Sequence, residues 1–325
     1  MTVRALTRIV VAAGAAVATI VAPVRARQNA RPSFRATTDA VSVDVSVQRS
    51  GRPVANLTAA DFELRDEGVV QTITDISYEK MPIDVTIAFD VSLSVTDAVL
   101  TQLRRAVDDV RARLRPGDRI KLMTFNMRVS RVLDFTDRLA DTKGAFDRVT
   151  PAGSTALLDT VAVALTSAAP VDRRQLIIAL GDGQDTSSVT SEGALREVAR
   201  RTTGTVVFVL PSVMMGTLPV MSPMAPPAAS ARGQVTIVNG PASAVALPFV
   251  PPALRTIAAE TGGLVVPAIG DAISSTLTRT FDNFRSTYVL HYSPAGVRAS
   301  GFHELQVRVT RRGNYDVRAR RGYEN

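Results

Sequence analysis

The stretch "FDVSLSVTD" places Asp90, Ser92 and Ser94 at alternate positions, directly after the apolar run "IDVTIA". A strand that ends at Asp90 and turns into a loop can aim all three side-chain oxygens at one point. Hard oxygen donors converging on a point suit a hard cation. Two further stretches supply the same kind of atom. Asp182 ends the apolar run "LIIAL" in "LIIALGDG", and Thr155 lies in "PAGSTALLD", just ahead of a helical pattern. Taken singly, each stretch also reads as an ordinary cap or turn. Together they make two carboxylates and three hydroxyls, a donor set that favours magnesium or manganese over zinc. A cation held by only two carboxylates stays electrophilic, so an acidic side chain of a partner protein could complete it.

These positions converge only if the surrounding elements bring them to one face. Between residues 83 and 285 apolar strand runs alternate with amphipathic helical runs. "IDVTIAFD", "RIKLMTFN", "SRVLDFT", "QLIIALGDG", "TVVFVL" and "LVVPA" read as strands. "AVLTQLRRAVDDVRARL", "STALLDTVAVALTSA", "EGALREVARRT", "PALRTIAAETGG" and "AISSTLTRTFDNFRS" read as helices, the second with Ser154 and Thr155 at its start. This alternation predicts an α/β fold, a doubly wound and mainly parallel sheet covered on both faces. Such sheets bind ligands beyond the carboxyl ends of their strands, which is where Asp90 and Asp182 fall.

The flanks have a different period. "VSVDVSVQ" alternates Val41, Val43, Val45 and Val47 with polar residues, and Phe62 and Leu64 alternate beyond it. At the other end "STYVLHYS" and "HELQVRVTRRGNYDVRARRGY" hold three strand candidates, the last two joined by a turn at Gly313–Asn314. Neither set is large enough to close a core. The expectation is an antiparallel β-sandwich built from both chain ends, residues 35–80 and 286–325, around an α/β domain at 81–285. Residues 211–251 interrupt that domain with a Pro-, Ala- and Met-rich insertion, in which "QVTIVNG" could form one short strand.

The sequence has 325 residues, 46% hydrophobic and 21% charged, an ordinary globular balance. It has no cysteine, which excludes disulfides, zinc–thiolate centres and thiol catalysis. Its two histidines are too few for a histidine-based site. The net charge of +8 is not accompanied by a basic and aromatic patch, so nucleic-acid binding is not expected. Arg4 and Arg8 precede an apolar run from Ile9 to Val24, and "VRA" (24–26) offers a cleavage site. Residues 1–26 read as an export signal, with an uncleaved anchor as the alternative. After cleavage no segment long enough to span a bilayer remains, and an exported protein, periplasmic, surface-attached or secreted, is expected.

The motifs resemble those of von Willebrand factor type A (VWFA) domains and their metal-ion-dependent adhesion site. "DVSLS" is similar to the Asp-x-Ser-x-Ser element, "GSTALLDTV" to the loop with a metal-facing threonine, and "LIIALGDGQDTSS" to the strand and loop with the second aspartate. The resemblance covers residues 82–285 without departure at Asp90, Ser92, Ser94, Thr155 or Asp182. The flanks resemble exported bacterial VWFA-related proteins of the acidobacterial type. The resemblance implies a secreted or surface-attached, metal-dependent protein-binding module and does not imply catalysis. A magnesium-dependent hydrolase or phosphoryl-transfer enzyme with Asp90 as nucleophile is an alternative. It lacks a phosphate-binding loop, a second aspartate two residues after Asp90 and a nearby histidine. A structural envelope protein with a stabilising metal is another. Asp185, in "GQDTSS", reads as a turn-stabilising residue or as a support to the site.

Overall fold

In the computed structural model, residues 40–142, 144–146, 149–167, 170, 172–211, 250–269 and 272–325 are described. The expected export signal and positions 212–249 of the insertion lie outside them.

The strands are β1 (Val41–Arg49), β2 (Arg52–Pro53), β3 (Phe62–Asp66), β4 (Val69–Gln71), β5 (Ile73–Tyr78), β6 (Ile83–Asp90), β7 (Arg119–Phe125) and β8 (Val129–Thr136). They continue with β9 (Arg174–Leu180), β10 (Thr205–Pro211), β11 (Leu264–Ala268), β12 (Tyr288–Tyr292), β13 (Phe302–Val309), β14 (Asp316–Ala319) and β15 (Gly322–Glu324). The helices are α1 (Asp97–Arg111), α2 (Leu157–Thr166), α3 (Glu192–Arg201), α4 (Pro252–Glu260) and α5 (Ile273–Arg285).

Six strands form one sheet in the order β11-β10-β9-β6-β7-β8. All pairs are parallel except β7 with β8 at one edge. Every residue of β6, β9 and β10 is buried, which explains why these strands read as largely apolar runs rather than alternating ones. Successive side chains serve opposite faces. Ile83, Val85, Ile87 and Phe89 of β6 pack with α1 and α5, through Leu103, Leu277 and Phe281 among others. Ala88 of β6 and Ile177 and Ala179 of β9 pack with α2, α3 and α4 through Val161, Leu195 and Ile257. Helix α2 begins later than the sequence pattern suggests. Its N-cap is Ala156, because Thr155 is held in the preceding loop by bonds described below.

The terminal strands form two more sheets, β14-β1-β12-β5 with β2 on β1, and β15-β13-β3-β4. One apolar cluster joins them: Val43, Val45, Val47, Tyr288, Leu290 and Tyr292 from the first, Phe62, Leu64 and Leu305 from the second. The turn at Gly313–Asn314 does not close a hairpin, contrary to the sequence reading. Strand β13 pairs with β3 and β15, whereas β14 pairs with β1. The crossing lets Val307 of β13 and Val317 of β14 reach the same cluster from different sheets. A fourth strand of the C-terminal segment, β15, was not expected from the sequence.

A polar knot lies inside this cluster. Buried Asp66 accepts hydrogen bonds from the Tyr292 and Tyr323 hydroxyls at 2.8 and 3.1 Å, and its other oxygen meets His303 Nδ1 at 3.0 Å. Burial raises the pKa of both tyrosines, Tyr323 to about 12 and Tyr292 further, so both stay donors at neutral pH. Asp66→Ala leaves all three partners without their acceptor. It is expected to cost roughly 3–5 kcal/mol in urea denaturation, against about 1–2 kcal/mol for Tyr292→Phe, which leaves Tyr323 bonded. Equal losses for the two variants would show that the carboxylate is not the hub.

The terminal sheets attach at the amino-end rim of the parallel sheet. Arg174, the first residue of β9, donates to Asp44 of β1 at 2.8 Å and to the Thr287 hydroxyl, and lies 4.0 Å over the Phe284 ring. The opposite rim, beyond the strand carboxyl ends, carries the candidate site.

Candidate metal centre

The strand order changes direction between β6 and β9: from β6 the chain moves outward to β7 and β8, then returns to place β9 on the other side. A crevice opens at such a switch point. Asp90 closes β6 on one side of it, and Asp182 lies two residues beyond β9 on the other.

The loop after β6 is tied down locally. Ser92 N donates to Asp90 Oδ1 at 2.7 Å, and the Ser92 and Ser94 hydroxyls are 3.0 Å apart. Leu93 N donates to Gly153 O at 3.2 Å, and Ala152 N to Val91 O at 2.8 Å, which draws the Thr155 loop alongside. Thr155 is fixed from the Asp182 side. Its amide donates to Thr186 Oγ1 at 2.9 Å, and its carbonyl accepts from Thr186 N and Ser187 N at 2.8 and 3.0 Å. Asp182 Oδ1 accepts from Gln184 N at 2.8 Å. The loops carrying the five predicted residues are thus stitched together by backbone bonds.

Asp90 is fully buried, and its Oδ2 has no hydrogen-bond partner. Burial pushes its pKa up to about 6. The amide and hydroxyl of Ser92 pull the other way, the Asp182 charge raises it further, and the Thr155 hydroxyl lowers it. The Asp182 pKa is also raised, by burial first. Two carboxylates are therefore held ionisable in a place that disfavours their charge, and one oxygen is unsatisfied. Such an arrangement accommodates a cation. Among the described residues no cluster of three or more His, Cys, Asp or Glu side chains could hold a metal, so a centre here must draw on hydroxyls.

Two supporting residues, Gly181 and Asp159, were not singled out in the sequence, whereas Asp185 was. Gly181 leaves room for close approach: a Cβ there would stand 3.2 Å from Asp90 Oδ2, so that side chain would have to shift by a few tenths of an ångström. A glycine directly between a buried strand and the second aspartate was the available signal. Asp185 acts as a tether, with Oδ1 accepting from Leu158 N at 3.1 Å and from Ser188 Oγ at 2.6 Å. It holds the loop onto the start of α2. Asp159 reciprocates from α2 by accepting from Val189 N and Thr190 N at 3.0 and 2.8 Å.

No family model matches the chain, and no curated protein is significantly similar to it. Among solved structures it is similar to von Willebrand factor type A domain proteins. One is a von Willebrand factor type A protein from Catenulispora acidiphila, with 12% identity over 87% of this chain and 73% of that one, TM-score 0.46. Another is proximal thread matrix protein 1 from the mussel byssus, described with a zinc-occupied MIDAS motif; identity is 18% over 69% of this chain and 50% of that one, TM-score 0.47. A third is an aerotolerance-related membrane protein from Bacteroides fragilis, at 16% identity over 62% of this chain and 98% of that one, TM-score 0.43. Among the described residues no helix is long and apolar enough to cross a membrane.

Proposed function

We propose that this chain is an exported, metal-dependent protein-binding module of the adhesion type. Asp90, Ser92, Ser94, Thr155 and Asp182 hold a divalent cation, magnesium or manganese, and an acidic group of a partner protein completes it. The observation that carries this reading is Asp90 Oδ2, a fully buried carboxylate oxygen without a partner at the switch point of the sheet. When bound, the cation offsets the two carboxylate charges and keeps a position open for an outside oxygen. The chain's own part is to hold the donors in place: Gly181 admits Asp90, and the loop after Asp182 holds Thr155.

Binding rather than catalysis is supported by what surrounds the site. His291 and His303 both lie on terminal strands, β12 and β13, away from the rim where a general base would be required. We read the architecture as a doubly wound VWFA-type domain flanked by a β-sandwich from both chain ends, preceded by a signal peptide.

Calorimetric titration and thermal unfolding in magnesium, manganese and chelator test the centre. At a cation concentration one hundred times the dissociation constant, stability is expected to rise by about 2.7 kcal/mol. Asp182→Ala is expected to lose that increment and still fold, because its main bond is to the nearby Gln184 amide. An undiminished magnesium response in Asp182→Ala would remove this residue from the site.

A further inference from the structure

The rim that carries the oxygens also displays apolar side chains. Seven large hydrophobic residues are exposed among the described residues, and four of them stand beyond strand carboxyl ends. Leu93, 77% exposed, follows β6; Met127, 59%, follows β7; Val189, 95%, lies on the loop after β9; and Ile269, 49%, follows β11. In "VSLSV" the two valines, Val91 and Val95, turn inward to 5% exposure while the leucine between the two serines faces out. The first three residues border the candidate centre. Leu93 N is bonded to Gly153 O, and a Cβ on Gly153 would lie 3.4 Å from Met127 Sδ, so both flank the Thr155 loop. Val189 belongs to the loop whose Thr186 and Ser187 amides hold Thr155 O. Leu93 and Met127 therefore stand on the β6–β7 side of the oxygens and Val189 on the β9 side.

Apolar groups gathered at a polar cleft mark an interaction surface. We propose that this rim takes an extended segment of a partner protein in which one carboxylate has large apolar residues two positions before and two positions after it. This rests on the metal-dependent reading above and specifies its ligand. In an extended chain, residues two apart share a face and lie roughly 7 Å from one another. The carboxylate reaches the cation, one apolar residue lies on Leu93 and Met127, and the other lies on Val189. Charge complementarity favours an acidic segment. A divalent cation neutralises Asp90 and Asp182, and exposed Arg128 stands beside Met127 on the β6–β7 side while exposed Asp185 lies on the β9 loop, so the complementarity is local to the cation and Arg128. The chain's own insertion cannot supply the anchor, since residues 212–249 contain neither aspartate nor glutamate.

The test uses the full mature chain and three synthetic peptides, with affinity read by fluorescence polarisation in magnesium. They are Gly-Leu-Ser-Asp-Ser-Leu-Gly, the same peptide with both leucines replaced by serine, and the same peptide with asparagine for aspartate. The leucine–aspartate peptide is expected to bind at least about tenfold tighter than either control, consistent with burying two leucine side chains in part. The triple variant Leu93→Ser, Met127→Ser, Val189→Ser is expected to bring the leucine and serine peptides within about twofold, with its magnesium titration unchanged. Equal binding of these two peptides to the native chain, no binding of the leucine–aspartate peptide, or a preference that survives in the triple variant overturns the proposal. Self-association that the peptide displaces would assign the rim to a second copy instead and overturn it too. A native chain that binds no magnesium overturns the metal-dependent reading itself, whereas normal magnesium binding without the leucine preference overturns only the apolar part.

Discussion

In chelator at pH 8, Asp90→Asn is expected to unfold at higher denaturant than the native chain, with a gain on the order of 3 kcal/mol. The Asp90 pKa is raised from the ordinary 3.8 to about 6 by burial. Below pH 3.8 the carboxyl is protonated in both folded and unfolded chains, and the substitution is nearly neutral. As pH rises from there through 6, the unfolded chain loses the proton first, so the native chain progressively loses stability. Above about 6 the native chain carries the full penalty of a buried charge. Asparagine keeps an oxygen for the Ser92 amide and carries no charge, so its advantage should open across that window and then level off. Saturating magnesium should stabilise the native chain and leave Asp90→Asn unmoved, narrowing or reversing the order. A variant less stable than the native chain at pH 8 in chelator would contradict the assignment of Asp90 as a strained binding carboxylate.

Arg320→Met should have a comparably large effect in the other direction, a loss of roughly 3–5 kcal/mol. Arg320 lies between β14 and β15, is nearly buried, and donates to Gly322 O at 2.7 Å. The rest of its guanidinium reaches the end of α3, donating to Thr202 O at 2.8 Å and to Ala199 O and Arg200 O at 3.1 Å each. These are carbonyls that a helix end leaves unsatisfied, and a cation there also suits the helix dipole. Burial lowers the Arg320 pKa to about 10, so it remains charged at neutral pH. Methionine fills much of the volume but strands four carbonyls. Hydrogen exchange should show the loss as faster opening at the C-terminal end of α3 and in β14 and β15 together. Loosening of β14 and β15 alone would mean that Arg320 does not couple them to the helix.

The sequence by itself determined the order of strands and helices between residues 83 and 285 and named the five candidate oxygen donors. Strands such as β6 and β9 are buried on both faces and are largely apolar. Their apolar stretches stop at their carboxyl ends, at Asp90 and just beyond Leu180, whereas Asp84, Arg174 and Gln175 near their amino ends are buried polar residues. Helix α1 was legible for the same reason, since Leu100, Leu103, Val107 and Val110 recur at the spacing of one buried face. Periodicity reports which side of an element is buried but not what covers it. For that reason the separation of β13 from β14 into different sheets could not be read from "HELQVRVTRRGNYDVRA", in which both strands alternate normally. Nor could the alternation in "VSLSV" reveal that Leu93 faces solvent while Val91 and Val95 are buried, because that depends on Gly153 and Phe125 drawing the loop inward. Tertiary structure also decided the charge state of the site. A carboxylate's pKa depends on burial and on neighbours distant in sequence, here Asp182, which lies across the crevice from Asp90. The unpartnered Oδ2 of Asp90, which adds to the reason the donor set already gave to expect a cation, exists only once β6 and β9 lie side by side.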